Sequence, residues 1–181
     1  MRIADGSVAS CELIWPRGIT QLIEFYGNPD RNEDLHADPV WEQEYLTVLT
    51  LPFPMRLSWG DNPTVTTLKV HRRCGWAMIA ALDQFRLSVG VEAIRENGWD
   101  MLGGCYNFRA QTGSKAYLSV HSWAAAIDIN PHLGAFGVKP TQPPELVEAF
   151  EFYGAQWAGR WPEMNPAWPY DGMHFQFCSG Y

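Results

Sequence analysis

Apolar and β-branched residues dominate two short stretches in the first half of the chain. The stretch 45–51 reads Tyr-Leu-Thr-Val-Leu-Thr-Leu, and the stretch 64–70 reads Thr-Val-Thr-Thr-Leu-Lys-Val. Residues of these types favour strands. A turn is expected at 61–63, Asp-Asn-Pro, while Pro52 and Pro54 limit the first stretch. The pattern therefore predicts a β-hairpin.

Apolar residues recur at a period near 3.6 over 74–87, which predicts a helix that ends before Gly90. A second, shorter helix is expected over 91–97. A third is expected over 143–153, because proline is favoured in the first turn of a helix and the stretch opens with two prolines.

The first 45 residues are harder to interpret. The stretch 15–27 predicts a short helix with Thr20 as a possible N-cap and Gly27 as its end. The stretch 28–39 is acidic and rich in Asn, Asp and Pro, which is typical of a surface loop.

Two stretches of the second half predict buried strands, at 125–129 and at 173–177. Helices beside strands that are mostly joined by hairpins favour an α+β fold. A chain of 181 residues is suited to a single domain with a core of its own. We therefore expect one α+β domain over 1–181, with a small antiparallel sheet and flanking helices.

Charge and composition exclude several classes of function. The net charge of −7 argues against nucleic-acid binding, and more weakly against electrostatic attraction to an anionic cell wall. The N-terminus lacks the apolar stretch of a secretory signal. No run approaches the roughly 20 apolar residues of a membrane span. We therefore expect no nucleic-acid partner and no membrane insertion.

The four cysteines, at positions 11, 74, 105 and 178, form no CxxC pair, so a cysteine-ligated zinc site is disfavoured. In the absence of a signal we expect buried free thiols rather than disulfides. Histidines 36, 71 and 132 are expected at the surface, with metal binding as the alternative for His71.

Two segments far apart in the sequence carry candidate metal ligands. The first contains His121 and Asp128, and the second contains His174, with Asp171 three residues before it. Two imidazoles and one carboxylate leave the fourth position of a tetrahedral zinc ion open, which is the arrangement of catalytic zinc sites.

The spacing of these residues constrains the backbone. On one helix His121 and Asp128 would lie roughly 10 Å apart, at 1.5 Å per residue. On one strand they would point to opposite faces. Both must approach one ion to about 2 Å, so the segment must bend before the strand 125–129. In the second segment, alternation puts His174 and Gln176 on one face and the phenylalanines 175 and 177 in the core.

At these residues the sequence resembles the VanY-type family of zinc D-alanyl-D-alanine carboxypeptidases and L-alanyl-D-glutamate peptidases, which includes phage endolysins. The family pattern is Ser-x-His-x-x-Gly-x-Ala-x-Asp, followed much later by an acidic residue, two spacers and His. The matching positions are Ser119, His121, Ala126, Asp128, Asp171 and His174. Ala124 stands where the pattern has Gly, which tolerates the positive φ of a tight turn more readily. The resemblance extends over about 46–177 and includes the segment 103–109.

The resemblance implies a zinc ion bound by His121, Asp128 and His174, with Asp171 close enough to act as the general base. A turn role in the pair Asp-Gly is the alternative for Asp171. The family's strand-borne arginine corresponds to Arg109, which would stabilise an oxyanion or bind a substrate carboxylate; a surface position is the alternative. Ser119 is expected to orient substrate or backbone.

For the fold, the resemblance implies the small antiparallel sheet shared with the hedgehog signalling domain, with zinc at the open face of the sheet. Phage members have similar N-terminal arms that contain Trp-Pro and Phe-Tyr-Gly. We therefore expect residues 1–45 to form an arm that packs on a catalytic core over 46–181, beside the active cleft.

These features together predict a monomeric zinc metallopeptidase that cleaves the stem peptide of bacterial peptidoglycan, as an L-alanyl-D-glutamate endopeptidase or a D,D-carboxypeptidase. The expected biology is that of a phage endolysin, made in the host cytoplasm without a signal peptide and acting on the cell wall after release. The alternatives are a cytoplasmic D,D-dipeptidase and a non-catalytic, zinc-stabilised binding protein of the hedgehog-like fold.

Overall fold

A computed structural model of the chain describes residues 15–112 and 117–181. These residues form a six-stranded sheet in the order β2-β1-β3-β4-β6-β5, in which only the β1–β3 pair is parallel. The strands are β1 (Leu46–Leu57), β2 (Thr64–His71), β3 (Met101–Gly104), β4 (Ala126–Ile129), β5 (Gln156–Trp157) and β6 (His174–Gln176). The expected α+β fold with a mostly antiparallel sheet is confirmed.

Six α-helices of the described residues accompany the sheet. They are α1 (Gly18–Tyr26), α2 (Pro39–Tyr45), α3 (Gly75–Val89), α4 (Val91–Glu96), α5 (Pro144–Phe152) and α6 (Trp161–Met164), with short 3-10 turns at Val120–Trp123, Pro131–Leu133 and Ala158–Arg160. The helices expected over 74–87, 91–97 and 143–153 are confirmed to within two residues. None of the helices in the described ranges is both long and apolar enough to cross a bilayer.

The start of the chain differs from the expectation at two points. Helix α1 ends at Gly27 as expected, but its N-cap is Arg17 rather than Thr20, and the Gln21 side chain satisfies the N–H of Arg17 at 2.9 Å. Helix α2 was not expected. It begins directly after the predicted loop, because the Asp38 carboxylate accepts hydrogen bonds from two backbone N–H groups of its first turn.

Strand β1 also runs further than expected, through both Pro52 and Pro54. Its pairing with β2 shifts register between Thr50 and Met55, so that residues 51–54 lie opposite Thr66 alone. A bulge of this kind leaves backbone N–H groups out of the ladder, and proline, which has none, is tolerated there. The prediction that the prolines end the strand was therefore wrong. Strand β3, in turn, stops at Gly104 and does not reach Arg109.

One face of the sheet carries the hydrophobic core. Ile127 and Phe175 are paired on β4 and β6 and are fully buried, and the Phe175 ring lies 4.6 Å from that of Phe150 on α5. Helix α3 packs against both α5 and β1. Side chains alternate along a strand, so the next pair, Asp128 and His174, projects from the opposite face. The core thus fixes the depth and direction of two candidate ligands.

Residues 18–45 hold both ligand-bearing segments through hydrogen bonds to the backbone. The Tyr26 hydroxyl donates to the carbonyl of Phe177, three residues beyond His174, at 2.7 Å. The Trp123 indole, two residues beyond His121, donates to the carbonyl of Gly27 at 2.7 Å. These two bonds fix the backbone close to two of the candidate ligands.

The described cysteines 74, 105 and 178 are buried free thiols, as expected. Cys11 and the N-terminal residues in which no signal was found lie outside the described residues, as does the stretch 113–116. His71 is not at the surface as predicted: it is fully buried, its Nε2–H donates to the carbonyl of Tyr26 at 3.0 Å, and its Nδ1 accepts from the N–H of Arg73 at 3.1 Å. Both ring nitrogens are satisfied, so His71 is a core residue rather than a ligand.

The buried His71 predicts a loss of stability in acid. Burial lowers the pKa of His71 from 6.5 to about 4, so the unfolded chain takes up a proton before the folded protein does. From about pH 7 to about pH 5 this group should therefore remove roughly 2 kcal/mol from the free energy of unfolding. Urea denaturation of wild type and His71→Gln at both pH values isolates the contribution. An equal pH dependence in the two proteins would contradict the assignment.

Candidate metal centre

His121 lies in a tight turn that brings it back towards Asp128. The turn Val120–Trp123 is a single 3-10 element, and Ala124 follows it with a left-handed backbone at φ 51° and ψ 31°. The chain then enters β4. The bend required by the seven-residue spacing is thus present, and it lies where it was predicted.

Ala124 takes the backbone conformation that the family pattern assigns to glycine. A left-handed conformation costs an alanine about 1 kcal/mol. The Ala124 side chain is fully buried in the core, where its methyl group contributes about 0.8 kcal/mol of apolar burial. The two terms nearly cancel, which explains why the turn keeps its geometry without glycine.

The three candidate ligands converge on one point. Asp128 and His174 are direct partners on adjacent strands. Asp128 Oδ1 lies 3.2 Å from His121 Nε2 and 3.0 Å from His174 Nδ1, and the two nitrogens are 3.1 Å apart. Within the described ranges this is the one group of three such side chains found together.

Hydrogen bonds on the far side of each imidazole define which nitrogen faces the point of convergence. His121 Nδ1 lies 2.7 Å from the carbonyl oxygen of Cys105, and His174 Nε2 lies 3.0 Å from the Oε1 of Gln176. Carbonyl oxygens only accept, so these nitrogens carry the hydrogens in the neutral rings. The opposite nitrogens of both rings are then left with lone pairs.

Two nitrogen lone pairs and one carboxylate at these distances repel one another unless a cation lies between them. This donor set fits a zinc ion, which binds imidazole nitrogen and carboxylate oxygen at about 2.0–2.2 Å. The hydrogen bonds that the two imidazoles donate to Cys105 and Gln176 complete the fit, because ligating histidines donate their other N–H to an acceptor. The residues present thus fit the metal that the resemblance implies.

The charge state of the metal-free cluster leads to the same conclusion. Burial disfavours the charge on Asp128, but hydrogen bonds from His121 and His174, which form when an imidazole is protonated on its inward-facing nitrogen, outweigh it and hold the pKa of Asp128 well below its usual range. Burial likewise works against the charge on His174, yet the bond to Asp128 raises its pKa. A proton can thus hold this cluster together, and a metal ion would displace that proton from the same atoms.

Asp171 lies beside the cluster but does not belong to it. Its backbone carbonyl accepts the N–H of His174 at 3.1 Å. Its Oδ1 is the one buried side-chain nitrogen or oxygen without a hydrogen-bond partner among the described residues. Burial raises the pKa of Asp171 to about 6, opposed by the nearby His174 and reinforced by the charge of Asp128. A buried carboxylate with a free oxygen is what a general base requires.

A cavity of about 360 Å³ opens over the site. The residues that line it are Trp59, Gly103, Gly104, Cys105, Tyr106, Asn107, Arg109, His121 and Asp128. A Cβ atom on Gly103 would lie 2.8 Å from the Cβ of Asp128, so glycine is required for β3 to approach β4 this closely. The cavity is therefore lined by two of the candidate ligands, His121 and Asp128, and by the glycines of β3.

Arg109 is exposed at this cavity, and its backbone is fixed by the turn. The hydroxyl of Ser122 accepts the N–H of Arg109 and donates to its carbonyl, both at 3.0 Å. Ser119 is 6% exposed, and its hydroxyl accepts the N–H of His121 at 3.4 Å. Ser119 thus orients backbone, while a contact with substrate stays a prediction.

Sequence reasoning missed several residues around the site. Trp59 lies in the hairpin turn, where no pattern marks a cavity wall. The carbonyl of Cys105 acts through the backbone, which carries no residue-type signal. Gln176 was placed on the correct face by alternation, but its partner Gln156 lies on the two-residue strand β5, which is too short to show a period.

Comparison with known families adds one match. Residues 112–177 are similar to a family described as D-alanyl-D-alanine carboxypeptidase. The matched stretch contains His121, Asp128, Asp171 and His174, whereas Arg109 and Trp59 lie before it. The similarity supports a metallopeptidase that acts on peptidoglycan-derived peptides. The comparisons with curated proteins and with solved structures gave no match.

The convergence predicts one zinc ion per chain. Elemental analysis after dialysis should find zinc in the wild type, whereas His121→Ala and His174→Ala should each lose it, because two remaining ligands bind the ion too weakly. His132→Ala is the matched control, since His132 is exposed and outside the cluster. Full zinc occupancy in either ligand variant would show that the site is assigned to the wrong residues.

Proposed function

We propose that the protein is a zinc-dependent peptidase that hydrolyses the stem peptide of bacterial peptidoglycan. The observation that carries the proposal is the convergence of His121, Asp128 and His174 beside the unpartnered carboxylate of Asp171. The bond is either the L-alanyl-D-glutamate bond or the terminal D-alanyl bond. The family match over 112–177 supports this substrate class.

The chemistry divides between the ion and the protein. Zinc held by the three ligands would supply Lewis acidity, which acidifies water and polarises a scissile carbonyl. Asp171 would take the proton from the attacking water and return it to the leaving amine. Its burial favours this exchange, because a pKa of about 6 lets the carboxylate both accept and release a proton near neutral pH.

Arg109 supplies the charge that the intermediate needs. Arg109 lines the same cavity as His121 and Asp128, and hydrogen bonds with Ser122 fix its backbone. Its guanidinium donates to the carbonyl of Ala110 at 3.2 Å. A cation at this position would stabilise the negative oxygen of the tetrahedral intermediate or bind a carboxylate of the substrate. A non-catalytic binding protein would need neither this cation nor a buried base, which favours the enzyme.

The biological setting is part of the proposal. We place the enzyme among phage endolysins, made in the host cytoplasm and acting on the cell wall after release. This rests on the resemblance of the N-terminal arm to those of phage members. A cytoplasmic dipeptidase would share the chemistry, and it would be distinguished by cleaving free dipeptides but not polymeric peptidoglycan.

Mass spectrometry of purified peptidoglycan after incubation tests the function and identifies the bond. Wild type should release a new peptide terminus, whereas Asp171→Asn should cleave at least about a hundredfold more slowly while keeping its zinc, because the amide cannot accept a proton. Wild-type activity should rise with pH as Asp171 loses its proton, and the rise should lie at or below the metal-free pKa of about 6, because zinc favours the ionised carboxylate.

The stability of the metal-free Asp171→Asn variant is the control for this experiment. The folded-state pKa of Asp171 lies above that of the unfolded chain, so ionisation costs the wild type stability as pH rises through about 6. Metal-free Asp171→Asn should therefore be at least as stable as wild type at alkaline pH. An Asn variant that cleaves at the wild-type rate would assign the base to another residue.

Arg109 gives a second kinetic test. Arg109→Ala should lower kcat by about 10²–10³, the effect of losing one oxyanion donor. Arg109→Lys should recover only part of the rate, because the planar guanidinium fork is lost. If Arg109→Ala instead raises KM with kcat unchanged, the residue binds a substrate carboxylate. Wild-type values of both constants would leave Arg109 without a role.

A further inference from the structure

On the side away from the metal site, His174 donates a hydrogen bond to a side chain, whereas His121 donates to a backbone carbonyl. His174 Nε2 faces Gln176 Oε1 at 3.0 Å, while His121 Nδ1 faces a backbone carbonyl. Gln176 is 1% exposed. Its amide could in principle be placed either way round, and the two placements would have opposite effects on the imidazole.

The surroundings of Gln176 decide the orientation of its amide. The Nε2 of Gln176 donates to Gln156 Oε1 at 3.1 Å and to the carbonyl of Cys178 at 3.3 Å. A flipped amide would turn its own oxygen towards the carbonyl of Cys178, which can only accept, and leave a buried contact without hydrogens. The Gln156 amide fits the same orientation, because its NH₂ group donates to the sulfur of Met164 and its oxygen therefore faces Gln176. Gln176 therefore presents its oxygen to His174.

We propose that Gln176, oriented by Gln156, is a positioning residue that fixes the tautomer of His174 so that Nδ1 keeps its lone pair for the metal. The proposal rests on the metal site of the proposed function. If Gln176 presented its NH₂ group, His174 Nε2 would have to accept, and Nδ1 would carry the hydrogen. His174 could then not bind the ion through Nδ1.

The proposal gives a structural role to β5, the shortest strand of the sheet. Strand β5 has two residues, and Gln156 is the direct partner of Gln176 across the β5–β6 pair. The pairing holds the two amides side by side, in the register that their hydrogen bond requires. The far end of Gln156 reaches the sulfur of Met164, so the network runs from the ligand towards the surface.

Zinc affinity, measured by competition with a chromogenic chelator, tests the proposal. Gln176→Leu should bind zinc about 10–100-fold more weakly, the usual effect of removing the partner of a ligating histidine. Gln176→Glu keeps the acceptor for His174 but loses the donor to the Cys178 carbonyl, so it should retain more of the affinity than Gln176→Leu does. Gln156→Leu frees the amide to turn and should cause a smaller loss.

Gln142→Leu is the matched control. Gln142 is also a buried glutamine, and its amide donates to the carbonyls of Ile129 and Asn130 rather than to a ligand. The Gln142→Leu variant should therefore be less stable than wild type but should bind zinc with the same affinity. Equal zinc affinities in Gln176→Leu and wild type, or an equal loss in Gln142→Leu, would overturn the proposal.

Nitrogen NMR of the metal-free protein, at a pH where His174 is neutral, provides a readout that needs no metal. Wild type and Gln176→Glu should carry the hydrogen on Nε2, and Gln156→Leu should show a mixture of tautomers. Hydrogen on Nδ1 in the wild type would refute the proposal. If the wild type shows the Nε2 tautomer but binds no zinc, the proposed function fails while the role of Gln176 stands.

Discussion

Electrostatic repulsion among three closely placed metal-ligating atoms is the constraint on which the structure depends. Two imidazole lone pairs and a carboxylate oxygen lie within 3.0–3.2 Å of one another in a largely buried place. Without a proton or a metal ion between them, nothing in their own chemistry holds them there. The turn, the strand pairing and the core must therefore hold the three ligands in position before the ion binds.

Each of these supports acts on a different atom of the site. The paired strands β4 and β6 set the distance between Asp128 and His174, and the left-handed turn at Ala124 returns His121 to them. The arm fixes the turn through Trp123 and the end of β6 through Tyr26. The outer partners of the imidazoles select the nitrogens that face inward. Geometry and protonation state are thus determined by separate parts of the chain.

The sequence predicted the parts of this arrangement that depend on short-range pattern. The spacing of His121 and Asp128 required a bend, and alternation placed Gln176 beside His174; both are confirmed. Long-range effects were not predictable. The bulge that carries β1 through its prolines depends on the partner strand, and the burial of His71 depends on an arm 45 residues away in sequence. The predicted roles of Asp171, Arg109 and Ser119 remain predictions.

The hydrogen bonds made by Tyr26 and Trp123 show that the folded domain extends beyond the stretch that is similar to a known family. Similarity to a known family covers 112–177, but strand β3 and helices α1 and α3 lie before that stretch. A fragment cut at the similarity boundary would leave β4 with an open edge and its apolar face exposed to water, the usual starting point of aggregation. For this protein, the segment that matches the family is shorter than the segment that builds the sheet, and fragment design has to follow the latter.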